Sequence, residues 1–268
     1  MKLKNMMALA AAAMMAVSFT ACGGSESSSV AGGSSAAGSE PSTSSEAASD
    51  SEEAIITGDP SEHTVEAIKA RGKLVVTTEA GYAPFEFLDE NGNVIGLDAS
   101  LAQALANDLG VELDIQNIAF TSVVPEVQAG NADMAIAGLT PNADRKKSVD
   151  MSDMYYEGGQ CVLILAENAD KYTTKESLDG QVVATQSGAL QETIQKEQFS
   201  NTEALLLPEF PQCIENLKNG ECAAVLIDTI SAEQYMETVE GLAISEIPVE
   251  IDPEEGGNSV AVMKGNTD

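Results

Sequence analysis

The stretch AIAGLTPNADRKKSVDMS, residues 135–152, joins a strand end, a helix start and a cluster of positive charge. Its apolar run closes at Gly138. Thr140 has the hydroxyl of an N-cap residue, and Pro141 has the fixed φ that suits a first helical position. A helix starting there leaves its first amides unpaired and turns the positive end of its dipole beyond the strand. Arg145 sits one turn in, and helical side chains lean toward the N-terminus, so the guanidinium reaches the same place. A planar fork beside free amides suits a carboxylate held by two parallel hydrogen bonds. In an open α/β sheet, ligands lie beyond such strand-to-helix junctions. The competing reading makes Arg145 one half of a surface ion pair. Lys146 and Lys147 read as solvated charges near Asp150 and Asp153.

The cluster stands out because the chain is acidic. Its 268 residues carry 43 Asp plus Glu against 13 Lys plus Arg, a formal charge of −30. A polyanion would be repelled, so nucleic acid is excluded as a partner. The chain is 43% apolar, enough for a core and one or two domains. Aromatics are 4% and Trp is absent, which predicts an aliphatic core.

Working outward from residue 135, strand and helix signals alternate, which predicts α/β architecture with largely parallel sheets. KLVVTTE (73–79) is a strand. Asn91-Gly92 marks a hairpin turn. Residues 98–110 form a helix, with Leu101, Leu105 and Leu109 at helical spacing, Asp98 as cap and Gly110 as stop. Residues 111–118 are a strand, 122–131 a short helix and 132–138 a buried strand. A second set follows: strands at 160–167, 203–209 and 222–228, helices at 189–199, 211–220 and 229–239, and a return through 242–251 toward 258–265. The similar unit order of the halves suits two lobes with a cleft between them. Four junctions face that cleft: Glu79 to Tyr82, Ala137 to Arg145, Gln186 to Leu190, and Asp228.

The N-terminus reads as a targeting signal. Lys2 and Lys4 precede an apolar run at 6–17, too short to span a bilayer. FTAC, residues 19–22, resembles a lipobox, with Phe19 where Leu is usual. The expectation is cleavage after residue 21 and lipidation of Cys22; the alternative is an ordinary secretory signal. Residues 22–57 are rich in Ser, Gly and Ala and are expected to be a disordered linker. A coil of that length reaches roughly 30–35 Å.

Cys161, Cys213 and Cys222 remain, an odd number. Cys213 and Cys222 are expected at opposite ends of a strand-helix unit, too far apart for a disulfide, and all three read as small buried residues. Asp89, Asn91 and Asn93 echo a calcium loop, but Val94 stands where that loop needs Gly; the hairpin explains them. His63 reads as a solvent-exposed linker residue. Neither a metal nor a cofactor is expected.

Four segments, residues 73–110, 137–159, 182–189 and 223–229, together resemble the bacterial extracellular solute-binding proteins of family 3, the amino-acid receptors of ABC importers. The resemblance covers about Gly72 to Asp268. It implies a type II periplasmic-binding-protein fold that closes around one amino acid, with permease subunits as partners and a monomeric state. Lobe 1 is expected at 58–162 plus 252–268, and lobe 2 at 163–251. Carried over by motif, Arg145 would hold the α-carboxylate with Thr140 and the Gly138 backbone, aided by the helix that starts at Ala189 after Gly188. Asp228 would hold the α-ammonium. Tyr82 and Phe120 fall where the family sandwiches the ligand side chain, or else pack the core. Glu79 occupies the polar side-chain position with Gln186 across from it, implying a polar or basic amino acid.

The family continues past a segment like KGNTD into helices that pack on the first lobe, whereas this chain stops at Asp268; a truncated C-terminus with apolar surface left on that lobe is expected. Two rival functions stay open. A cyclic amino-acid dehydratase shares the fold, but it needs a tuned proton-transfer group, for which Glu79 is the one candidate. A sensory ligand-binding module is the other.

Overall fold

The computed structural model describes residues 58–267, so the expected signal segment, Cys22 and the linker lie outside the described residues. The chain enters through a 3₁₀ turn at Pro60–His63. Helix α1 (Val65–Arg71) follows, started by the Thr64 side chain and ended by Gly72 at φ 76°. Strand β1 (Lys73–Thr78) leads to β2 (Gly81–Tyr82), β3 (Glu86–Leu88) and β4 (Val94–Ile95). The Asn91-Gly92 hairpin forms, pairing Phe87 with Ile95 and Leu88 with Val94. Asp89 builds its turn: Oδ1 accepts from the N–H groups of Asn91 and Asn93, and Oδ2 from the Asn93 amide.

Helix α2 (Leu97–Leu109) starts behind Gly96 rather than an Asp98 cap. Asp98 is buried instead, where its Oδ2 accepts from the Gly138 N–H and the Tyr155 hydroxyl, each at 2.8 Å. Those partners lie far along the chain, so a tertiary role displaced the local one. Strand β5 (Glu112–Asn117), helix α3 (Phe120–Gln128) and strand β6 (Met134–Ala135) complete the first run.

Helix α4 (Ala143–Ser148) also starts later than expected. Its N-cap is Asn142, whose Oδ1 accepts from the Arg145 N–H at 2.9 Å. Thr140 is not the cap, because its hydroxyl and carbonyl are engaged by the Arg145 side chain. Strands β7 (Val149–Met151), β8 (Tyr156–Glu157) and β9 (Gln160–Leu165) then carry the chain across. The remaining strands and α-helices are β10 (Val182–Gln186), α5 (Leu190–Gln198), β11 (Glu203–Leu207), α6 (Phe210–Lys218), β12 (Ala224–Asp228), α7 (Thr229–Thr238), β13 (Leu242–Ile244), β14 (Gly257–Asn258) and β15 (Ala261–Met263).

Two five-stranded sheets result. The first has the order β5-β1-β6-β15-β7 and the second β11-β10-β12-β9-β13. Each is mixed rather than largely parallel. β1 runs parallel to β5 and β6, whereas β15 is antiparallel to β6 and β7. β10 runs parallel to β11 and β12, whereas β9 is antiparallel to β12 and β13. The antiparallel strands are the ones the chain reaches on crossing between sheets. The boundary expected at 162/163 falls inside β9, which belongs wholly to the second sheet. β8 and β14 pair with each other outside both sheets, at the two crossings.

The cores are mainly aliphatic: Leu74, Ile136, Leu139, Leu163, Leu178, Leu217, Leu226 and Ile227 are fully buried, with Phe85 and Phe210. Cys161, Cys213 and Cys222 are buried and unpaired. Cys213 and Cys222 share one apolar cluster instead of standing at opposite ends of their unit. Burial pushes the thiols up to about 12, 12 and 11, so thiolate chemistry is suppressed.

His63 is buried, not an exposed linker residue. Its Nδ1 donates to Asp133 Oδ1 at 2.8 Å. Asp133 also accepts from Arg71 and from the Val75 N–H. One carboxylate therefore ties the entry segment, α1 and β1 together. Asp133→Ala removes that shared acceptor and leaves buried donors unpaired. It should lower the unfolding free energy by about 2–4 kcal/mol in urea titration.

Candidate functional site

The two sheets converge on one cleft. Lobe 1 supplies Tyr82, Glu86, Phe120, Ala137, Gly138, Thr140 and Arg145, and lobe 2 supplies Gln186, Ala189, Leu190, Gln191, Phe210 and Asp228. Eight of the ten residues expected from sequence line it. The other two touch the lining: Glu79 through Gln186, and Gly188 through Arg145. The free space between the lobes is about 10 Å³, roughly one water. The lobes are therefore closed on each other.

Arg145 reaches the cleft from the first turn of α4. Its Nη1 donates to the Thr140 carbonyl at 3.0 Å and the Thr140 hydroxyl at 2.9 Å. Its Nη2 donates across the cleft to the Gly188 carbonyl at 3.1 Å, and the guanidinium lies 5.5 Å from the Phe120 ring centre. Burial without a carboxylate partner pushes its pKa down to about 10, so it stays charged near neutrality. The α4 amides do not join it as expected. The Arg145 N–H is capped by Asn142 and the Ala143 N–H by Glu255. Helix α5, by contrast, has Ala189 as its N-cap with no side-chain cap, and Ala189, Leu190 and Gln191 at its start line the cleft with Arg145.

Two glycines shape the walls. Gly138 has φ 56°, and a Cβ there would sit 3.1 Å from the Tyr82 ring. Gly188 has φ 77°, and a Cβ there would press on Thr121 of the opposite lobe at 3.3 Å. Both need left-handed backbone and close approach at once.

Asp228 ends β12 at the opposite wall and is 6% exposed. Its Oδ1 accepts from Gln160 Nε2 at 2.6 Å and its Oδ2 from Gln191 Nε2 at 3.1 Å. Desolvation alone raises its pKa to about 7. Glu79 is also buried, and its Oε2 accepts from Gln186 Nε2 at 2.8 Å across the cleft. Desolvation, with Glu209 nearby, lifts it to about 7 against the lowering effect of that bond. Tyr82 stacks on Phe210 of the other lobe at 4.9 Å, and its buried hydroxyl has no hydrogen-bond partner among the described residues.

Sequence reading missed Glu86, Gln191, Phe210 and Gln160, and it named Ala137 and Leu190 only as ends of cleft-facing junctions. Glu86 is fully buried, and burial together with the nearby Asp98 charge pushes its pKa well above the usual carboxylate range, so Glu86 holds a proton. Phe210 opens α6 directly after the Pro208-Glu209 turn, a signal that the strand-to-helix junctions already carried. The glutamines stand in no motif.

A cleft with an unpaired guanidinium on one wall and a carboxylate on the other is what a zwitterion requires. The family model for bacterial extracellular solute-binding proteins, family 3, matches residues 74–226. The chain belongs to this family. Similar to this solute-binding protein is the arginine-binding extracellular protein ArtP of Bacillus subtilis, 31% identical over 72% of this chain and 74% of its own length. A substrate-binding protein of an amino acid ABC transporter from Streptococcus pneumoniae, solved with L-arginine, superposes with TM-score 0.72 at 36% identity, covering 75% of this chain and 85% of the other. An ancestral amino acid-binding protein, a precursor of cyclohexadienyl dehydratase, superposes with TM-score 0.69 at 31% identity, covering 75% and 86%. These matches bear out the two-lobed type II fold. Among the described residues, no helix is long and apolar enough to cross a membrane.

The buried acids set a pH dependence for the ligand-free protein. Glu79, Glu86 and Asp228 have folded-state pKa values above their unfolded values. They bind more protons when folded, so the stability they contribute is fully present below their unfolded values and is lost as pH rises through the folded values, about 7 for Glu79 and Asp228. The exposed acids Asp89 and Asp144 are shifted down and act in the opposite sense, but only at lower pH. The thermal midpoint without ligand should therefore fall between pH 5 and pH 8 by about 2–4 °C for each kcal/mol of ionisation cost, measured by calorimetric scans.

Proposed function

We propose that the protein captures a free polar or basic amino acid, with L-arginine the first candidate, and delivers it to the permease of an ABC importer. The observation that carries this reading is the placement of Arg145 and Asp228 on facing walls of one closed cleft. Arg145, Thr140, the Gly138 backbone and the start of α5 after Gly188 and Ala189 take the α-carboxylate. Asp228 takes the α-ammonium. Tyr82 and Phe120 flank the side chain, and Glu79 with Gln186 takes its polar end. The relatives that carry arginine support the choice of first ligand. With so little free space, the lobes part to admit the ligand and close around it. Closure excludes water and strengthens both ionic contacts.

The proposal extends to the N-terminus: removal of residues 1–21, lipidation at Cys22, and a linker over 22–57 that holds the monomer at the outer face of the cell membrane. Mass spectrometry of the membrane-extracted protein should find a diacylglyceryl adduct on Cys22; an unmodified cysteine overturns that part.

Isothermal calorimetry against the twenty amino acids tests the ligand. One or a few should bind with one-to-one stoichiometry. Arg145→Ala and Asp228→Asn should each weaken binding by about 2–5 kcal/mol, because each leaves one end of the buried zwitterion unpaired. The pH profile separates ligand classes. A ligand ammonium favours ionised Asp228, so binding below about pH 7 releases a proton and affinity falls as pH falls. A neutral side chain gives a fall of up to about tenfold per pH unit. A cationic side chain that also ionises Glu79 gives up to about a hundredfold.

A second reading rests on Glu79, whose pKa near 7 suits acid–base catalysis. A dehydratase would eliminate water from a cyclic hydroxy-amino acid. Recovery of the bound amino acid unchanged, with no such elimination, separates capture from turnover.

A further inference from the structure

We propose that Gln160 and Gln191 are positioning residues that hold the Asp228 carboxylate toward the cleft and away from the N-terminus of α7. Asp228 occupies the N-cap position of that helix, where an aspartate ordinarily accepts from the next backbone amides. Here its side chain makes no such bond. Both oxygens are engaged elsewhere: Oδ1 by Gln160 at 2.6 Å and Oδ2 by Gln191 at 3.1 Å. Gln191 Nε2 also donates to Gln160 Oε1 at 2.8 Å, so the three side chains close a ring. All three are buried.

The fold explains how they meet. Gln160 is the register partner of Asp228 across the antiparallel β9–β12 pair, so the two side chains share a sheet face. Gln191 descends from the first turn of α5. All three belong to lobe 2. The clamp therefore survives when the lobes part, and lobe 2 offers Asp228 already aimed.

Neutral amides are suited to this task. A carboxylate has about four lone-pair positions, and two donors leave two for an incoming ammonium. A Lys or Arg in their place would spend the charge. Among the described residues no such group pairs with Asp228: burial raises its pKa, and no charged neighbour contributes. Of the acids on the surrounding elements, Glu192 is turned to the Gly188 N–H and Lys196, and Glu233 acts on Cys161 and Tyr156. Arg145 and Glu86 share the cleft lining. The clamp thus fixes direction while preserving charge. Without it, the α7 amides compete for the same oxygens.

The experiment is a ¹³C carboxyl titration of the ligand-free full chain, comparing wild type with Gln160→Met and using Asp228→Asn to assign the resonance. Removing a donor from the ionised form should raise the Asp228 midpoint by about one pH unit. Calorimetry with L-arginine should then show affinity about tenfold weaker, and Gln160→Met should add no loss in the Asp228→Asn background. An unmoved Asp228 midpoint overturns the proposal, as does an equal loss of affinity in both backgrounds. A purely structural role would lower the thermal midpoint without shifting the titration. Should Gln160→Met fail to fold, Gln191→Met gives the same readout. The affinity arm rests on the proposed amino-acid function, but the titration does not. If no amino acid binds wild type, that function fails while the titration still decides the clamp.

Discussion

Arg145 and Asp228 line the same cleft, and neither neutralises the other. Each is desolvated, and each is satisfied by neutral dipoles: Thr140 and the Gly188 carbonyl for one, two glutamine amides for the other. Keeping opposite charges buried and apart costs free energy that an ion pair between them would recover. The architecture prevents that recovery by mounting them on different sheets. A zwitterion of the right length restores the balance by joining both at once.

The same logic extends into the first lobe. Asp98 gives up a helix cap to hold the Gly138 N–H, and its neighbour Glu86 must keep a proton to lie beside it. The Gly138 turn is thereby fixed from behind, so its backbone meets the cleft in one conformation. Tyr82 lies over that turn because glycine leaves the room. Stacking of Tyr82 on Phe210 and the Glu79–Gln186 bond then join the lobes by weak contacts that can open and reclose.

Much of this was legible in the sequence wherever the determinant was local. The leucine spacing of residues 101–109, the Asn91-Gly92 turn and the strand-to-helix junctions are written in consecutive residues, and the junctions lead to residues that line the cleft. Long-range partners defeated the reading. Asp98 is an ideal cap by local rules, yet its donors come from residues 138 and 155. His63 reads as exposed until Asp133 supplies its partner. Thr140 and Asn142 are both good N-caps, and the choice fell to Asn142 because Arg145 claims the Thr140 hydroxyl. Gln160 and Gln191 have no local signature at all; only the β9–β12 register brings them to Asp228.

The position of β15 has a consequence for how the molecule assembles. It lies between β6 and β7 in the first sheet, although it comes last in sequence among the strands of the described residues. The second sheet is built entirely from the continuous segment 160–244, so its contacts can form as soon as that segment exists. The first sheet lacks an interior strand until residues 261–263 arrive. An exported chain emerging N-terminus first therefore completes its second lobe before its first, and the Arg145 wall is finished after the Asp228 wall that it faces.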